Sequence, residues 1–138
     1  MQIRVPAKTY GPLVVHSPTT EALTITTEAG HGIAGVPSPQ AQGMSPSDLL
    51  MASVASCITL SMRMAATQMG LTLGELRAQA RATKATDLPH RFATLTVEVH
   101  SAGAVPVDRQ GELLERTKGL CTVSNTLGAE VVLRLSAG

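Results

Sequence analysis

The clearest pattern of apolar and polar positions lies between Ser45 and Gly70. Ser45-Pro46-Ser47-Asp48 has the form of a helix start. Ser45 suits the N-cap, Pro46 takes the first helical position where its missing N–H costs nothing, and Asp48 sits where a capping-box acid sits. The predicted helix runs to about Met69, with Gly70 as its stop. That is about 24 residues, or roughly 36 Å at 1.5 Å per residue. Between Asp48 and Arg63 there is no charge, and Leu49, Leu50, Met51, Val54, Ile58, Leu60 and Met62 cover most of the circumference. A helix apolar nearly all round must be buried on nearly all sides. A second copy of the chain would supply cover that one chain of 138 residues cannot.

The rest of the chain reads as short strands and two further helices. Leu13 to Val15 and Leu23 to Thr27 are strand candidates, followed by a long loop from Gly30 to Gly43 that is rich in Gly and Pro. Glu75 to Thr83 and Phe92 to His100 alternate apolar and polar positions, the period of half-buried strands. Thr86-Asp87-Leu88-Pro89 between them is a turn, so the two strands form a hairpin. Val107 to Lys118 is an amphipathic helix that Gly119 ends, Cys121 to Leu127 a second short helical segment, and Val131 to Leu135 a closing strand. The pattern predicts an α+β fold in a single domain, residues 1–138.

Composition sharpens this picture. Apolar residues make up 43% of the chain and charged ones 15%, which excludes disorder. Tyr10 and Phe92 are the only aromatic residues, so Ala, Val, Leu, Ile and Met must fill the core. The net charge is +1 with no Lys/Arg run, which argues against nucleic acid as a partner. Met1 to Pro6 has no apolar run of a signal peptide, and Leu49 to Met62 is too short to span a bilayer. A cytoplasmic protein, with no membrane partner, is expected.

Two cysteines, Cys57 in the long helix and Cys121 at the start of the short one, carry the candidate chemistry. One reading makes both small core residues, since free cysteine is among the most buried types. The other makes them a redox pair, in which one thiolate is oxidised to sulfenic acid and the second resolves it as a disulfide. Location makes Cys121 the more acidic thiol, because helix N-termini stabilise anions. Cys57, three turns into its helix, needs a cation or donor from another segment. His16, His31, His90 and His100 lack ligand spacing, so neither a metal nor a cofactor is expected.

Gly43-Met44-Ser45-Pro46-Ser47-Asp48-Leu49-Leu50, running on to Cys57, resembles the helix start of the OsmC/Ohr family, a Gly-x-x-Pro-x-Glu-Leu-Leu run that ends on a reactive cysteine. Cys121-Thr122-Val123-Ser124-Asn125-Thr126-Leu127 is similar to its second motif, Cys-Pro-x-Ser-x-x-Leu, and Pro89-His90-Arg91-Phe92 entering a strand also fits. The resemblance implies an intertwined homodimer with antiparallel sheets around a long buried central helix. It implies that Cys57 is the peroxidatic and Cys121 the resolving cysteine of an enzyme that reduces organic hydroperoxides, with a dithiol such as dihydrolipoamide as reductant. A small-molecule binding protein of the same family, or another cysteine-dependent protein, is the alternative. Ser47 stands where the well-studied peroxidases carry Glu, with Asp48 beside it, and Thr122 stands in place of Pro. Those peroxidases also hold the thiolate with an arginine from an N-terminal loop, whereas Arg4 is the only arginine before Cys57. Lys8, His31, Arg63 and Arg91 are the candidates to activate Cys57.

Overall fold

The computed structural model describes residues 5–87 and 89–138. Arg4 and Leu88 therefore lie outside the described residues. The chain forms two compact units, Met1–Asp48 and Leu49–Gly138, with mixed α and β structure.

The N-terminal unit is a three-stranded antiparallel sheet of β1 (Leu13–Thr19), β2 (Ala22–Thr27) and β3 (Gly32–Ala34), in that order. The third strand falls inside the stretch expected to be loop. Its three residues are too few to show an alternation, and Gly32 lowers strand propensity further. Cross-strand pairing places Leu13 and Val15 of β1, Leu23 and Ile25 of β2 and Ile33 of β3 on one face. Leu13, Val15 and Ile33 remain half exposed or more.

The C-terminal unit is built on α1 (Pro46–Gln68) and a second sheet of β4 (Leu76–Lys84), β5 (Phe92–Ser101) and β6 (Glu130–Ala137). The capping box forms at the start of α1: the Asp48 amide donates to Ser45 Oγ at 3.1 Å, and the Ser45 amide donates to Asp48 Oδ2 at 3.0 Å. Gly70 follows the helix at φ +70°, the left-handed stop that glycine permits. Within one chain the helix is buried as a stripe, through Val54, Ile58, Met62, Ala65 and Ala66. Leu60 and Met64 stand 65% and 55% exposed. By length and composition α1 could cross a bilayer, but this stripe makes it a core helix.

β4 and β5 form the expected antiparallel hairpin, whereas β5 and β6 pair in parallel. The sheet is thus mixed, not antiparallel. The reason is the crossover: α2 (Val107–Leu120) and α3 (Thr122–Thr126) lie between the two strands and return the chain to the same end of the sheet. α2 also runs one residue beyond Gly119, since glycine weakens a helix without having to end it. Leu95, Val97 and Val99 of β5 point into the core, with β4 alanines and β6 Val131, Leu133 and Leu135 beside them. Leu113, Thr117 and Cys121 complete it. α2 is tied to the C-terminus of α1, where Arg109 donates to the Met69 carbonyl at 3.3 Å and Arg116 to Gln68 Oε1 at 3.2 Å. These cations sit where the last helical carbonyls need partners.

Ser45→Ala should destabilise the protein by about 1 kcal/mol, the usual worth of an N-cap side chain, read from urea denaturation. The cap's hydrogen bonds hold the Asp48 carboxyl below its ordinary value. Its contribution is therefore present above the unfolded carboxylate pKa of about 4 and lost as pH falls through the lower folded value. Stability of an Asp48→Asn variant should change less between pH 5 and pH 2 than that of the wild type.

Candidate active site

Cys57 and Cys121 are 64 residues apart in sequence, yet the fold brings them close enough for each thiol to shift the acidity of the other. Both are reduced. α1 supplies Cys57, partly exposed on the side of the helix that carries Val54, Ile58 and Ser61. Cys121 is fully buried and serves at once as the C-cap of α2 and the N-cap of α3. Its sulfur accepts from the Ser124 amide at 3.5 Å, and the Ser124 hydroxyl donates to the Cys121 carbonyl at 3.2 Å. A thiol thus does the work of the usual Ser or Asp N-cap.

The order of acidity is the reverse of that expected from position in the sequence. Burial pushes the Cys57 thiol up, but four donors outweigh it and bring it below its ordinary value. They are the Val123 amide, the Cys121 thiol, the Ser61 hydroxyl and the Thr122 amide. Burial pushes Cys121 up as well; Ser124 opposes this through its hydroxyl and amide, while Cys57 adds both a competing hydrogen bond and charge repulsion, and the net direction is up. The physical reason lies in α3. Thr122 and Val123 are the first two residues of that helix, and first-turn amides have no intrahelical acceptor. These free dipoles act on Cys57, across from the helix, rather than on the residue that caps it.

Of the four expected activators, Arg63 and Arg91 belong to the same unit as Cys57, and Lys8 and His31 to the N-terminal unit. Arg63 donates to the Gly74 carbonyl at 3.1 Å, and Arg91 pairs with both Asp87 oxygens at 2.8 Å. Lys8 lies 5.2 Å above the Tyr10 ring, and His31 is exposed, its amide bonded to Thr27 Oγ1. Asp48 caps α1, and Ser47 is exposed. Ser61 was not foreseen from sequence, although its i+4 spacing from Cys57 places both on one helical face. The signal for Thr122 was equally present: a non-proline residue there keeps an N–H that proline would lack. Among the described residues no group of three or more His, Cys, Asp or Glu could hold a metal ion.

The family model for OsmC-like protein matches residues 39–136, a span that holds both cysteines and all the donors. The chain belongs to the OsmC-like family. No curated protein matches the sequence. The fold is similar to that of an OsmC-like protein from Mycoplasma pneumoniae (TM-score 0.82, 15% identity, covering 94% of this chain and 97% of that one). It is also similar to an organic hydroperoxide resistance protein from Elizabethkingia anophelis (TM-score 0.70, 18% identity, 96% and 100% covered). A third likeness is to the organic hydroperoxide resistance protein OhrB of Bacillus subtilis (TM-score 0.65, 19% identity, 93% and 98% covered).

Thr122→Pro tests the donor arrangement without dismantling α3. Proline is favoured at a first helical position, and Cys121 has the extended backbone (φ −81°, ψ 95°) that a following proline requires. The Cys57 pKa should rise in this variant and in Ser61→Ala. The pH dependence of iodoacetamide alkylation, measured in a Cys121→Ser background, reads it. In the wild type Cys57 should react at lower pH than Cys121.

Proposed function

We propose that this protein is a thiol peroxidase that reduces organic hydroperoxides, with Cys57 as the peroxidatic and Cys121 as the resolving cysteine. The observation that carries the reading is a partly exposed thiol of lowered pKa in contact with a second, buried thiol. The thiolate is the nucleophilic form, so a lowered pKa raises the reactive fraction at neutral pH. The Cys57 thiolate attacks the terminal oxygen of the hydroperoxide. The O–O bond breaks, the alkoxide leaves and takes up a proton as alcohol, and Cys57 becomes a sulfenic acid. The Cys121 sulfur then attacks Cys57. The S–O bond breaks, water leaves with the Cys121 proton, and a disulfide forms. A dithiol such as dihydrolipoamide restores both thiols and is itself oxidised to a disulfide.

The environment suits this substrate class. Val54, Ile58 and Leu127 belong to the core around the thiols, and apolar walls favour alkyl over hydrogen peroxide. Organic hydroperoxide resistance proteins are among the structures this fold resembles. A cytoplasmic setting, where thiols stay reduced, fits the cycle.

The working form is a homodimer. Leu60 and Met64 on α1 and the Leu13, Val15 and Ile33 face of the N-terminal sheet are apolar and exposed in one chain. Removing such side chains from water is worth about 1.5–3 kcal/mol each when burial is complete. A second copy of the chain covers them.

Purified protein with dihydrolipoamide should consume cumene hydroperoxide. Cys57→Ser should lose turnover, and Cys121→Ser should perform one oxidation and stop at sulfenic acid, detected by dimedone labelling. A wild-type protein that binds but does not consume hydroperoxide would instead be a small-molecule binding member of the family.

Light scattering at micromolar concentration should give twice the 14.3 kDa chain mass. Leu60→Asp, placed on the exposed face of α1, should shift it toward monomer.

A further inference from the structure

Cys121 is fully buried, and at rest Cys57 helps to keep its proton in place, through a competing hydrogen bond and through charge. Cys57 is the one ionisable group among the described residues that acts on it. Both influences end when Cys57 is oxidised, because a sulfenic acid is neutral. Burial then still favours the Cys121 thiol, and Ser124 alone opposes it, through its hydroxyl and its amide. The resolving step needs the thiolate, since the thiol is a poor nucleophile.

The geometry around Ser124 suits this moment. At rest its hydroxyl donates to the Cys121 carbonyl at 3.2 Å. That carbonyl has a second donor, the Asn125 amide at 3.0 Å. A hydroxyl carries one hydrogen, which rotates to suit its acceptor. It can leave the carbonyl without orphaning it, because the Asn125 amide stays. The Ser124 amide already donates to the Cys121 sulfur at 3.5 Å, so the sulfur lies beside this residue. Asn125 Nδ2 donates to the Gly119 carbonyl at 3.2 Å and ties α3 to the end of α2. Only the hydroxyl hydrogen has to move.

We infer that Ser124 is a catalytic residue of the resolving step: its hydroxyl hydrogen turns from the Cys121 carbonyl to the Cys121 sulfur as that sulfur attacks the oxidised Cys57. Ser124 keeps its proton throughout. The proton of Cys121 leaves with the hydroxide released from the sulfenic acid, as water. The S–O bond breaks and the S–S bond forms, so the sulfenic sulfur is reduced as Cys121 is oxidised. Cys121 therefore stays a thiol until a peroxide has been reduced, and only then becomes a nucleophile. The part Ser124 plays in turnover rests on the peroxidase reading; its hold on the Cys121 thiolate does not, and the two are measured apart.

A Cys57→Ser variant places a neutral hydroxyl where the sulfenic acid would form and leaves Cys121 as the only thiol. With the single tyrosine also replaced (Tyr10→Phe), the ultraviolet absorbance of the thiolate reads the Cys121 titration alone. Ser124→Ala should raise its midpoint by about one pH unit, the size expected of one hydrogen bond to a charged group. Ser124→Thr should restore it. Alanine keeps the amide and suits a helix, so α3 stays in place. In single turnover with cumene hydroperoxide, Ser124→Ala should slow disulfide formation about threefold at neutral pH. It leaves about tenfold less thiolate, offset about threefold by the greater nucleophilicity of a more basic sulfur. At alkaline pH, where the thiol is ionised in both proteins, only that offset remains and the variant should be the faster. A loss by the same factor at every pH marks a merely structural role and overturns the inference. So does a Cys121 midpoint that Ser124→Ala leaves unchanged or that Ser124→Thr fails to restore. Wild-type thiols that stay reduced in hydroperoxide overturn the peroxidase reading instead, and the titration, which uses no peroxide, still decides whether Ser124 holds the Cys121 thiolate.

Discussion

The arrangement around Cys57 depends on how a nascent anion can be tolerated on a helix that carries no charge from Leu49 to Met62. A charge in an apolar setting is costly unless donors surround it. A residue in mid-helix gains nothing from its own backbone, because every amide near it is committed to the carbonyl four residues earlier. The donors must come from where amides are free, which is the first turn of another helix. α3 supplies them through Thr122 and Val123, and Ser61 adds a hydroxyl from one turn along α1. Neutral dipoles therefore do here what a cation would do elsewhere, without placing a second buried charge in the core.

That requirement explains the topology of the C-terminal unit. α3 has only five residues and can be placed only by what flanks it. α2 brings it in from β5, anchored on the end of α1 by Arg109 and Arg116, and β6 leaves it to pair in parallel with β5. Cys121 stands at the hinge of this crossover. Its carbonyl accepts from Asn125 and its sulfur from the Ser124 amide, so the residue that touches Cys57 also sets the start of α3. The second thiol and the two amides arrive at Cys57 as one rigid piece, and the contrast in their acidity follows. The partly exposed sulfur receives four donors, and the buried one, held by Ser124 alone, faces its neighbour's charge.

Much of this was legible in the residues. The capping signals of Ser45, Pro46 and Asp48, the charge-free run behind them and the alternation in β4 and β5 all fix local structure through neighbours in sequence, and the structure has them where the pattern puts them. What was not legible depends on pairing across the chain. The parallel register of β6 is decided by the crossover, not by its own alternation. β3 is defined by its partner β2, since three residues carry no period. The acidity of the thiols was misread because a helix N-terminus was credited to the residue at its tip. The Ser124 amide reaches Cys121, but the Thr122 and Val123 amides act on a residue 64 positions earlier, and no spacing rule contains that direction.

The N-terminal unit poses a complementary constraint. Its sheet gathers five apolar residues on one face and has no helix among its elements to bury them. A sheet with an apolar face is stable only when another layer covers it. The same holds for the row of α1 marked by Leu60 and Met64, which the core stripe leaves outside. A chain with 43% apolar and 15% charged residues has too little polar surface to leave both features in water. In the proposed homodimer a second copy of the chain covers them. Both thiols and all four donors to Cys57 lie within Leu49–Gly138, so residues of that unit lower the Cys57 pKa.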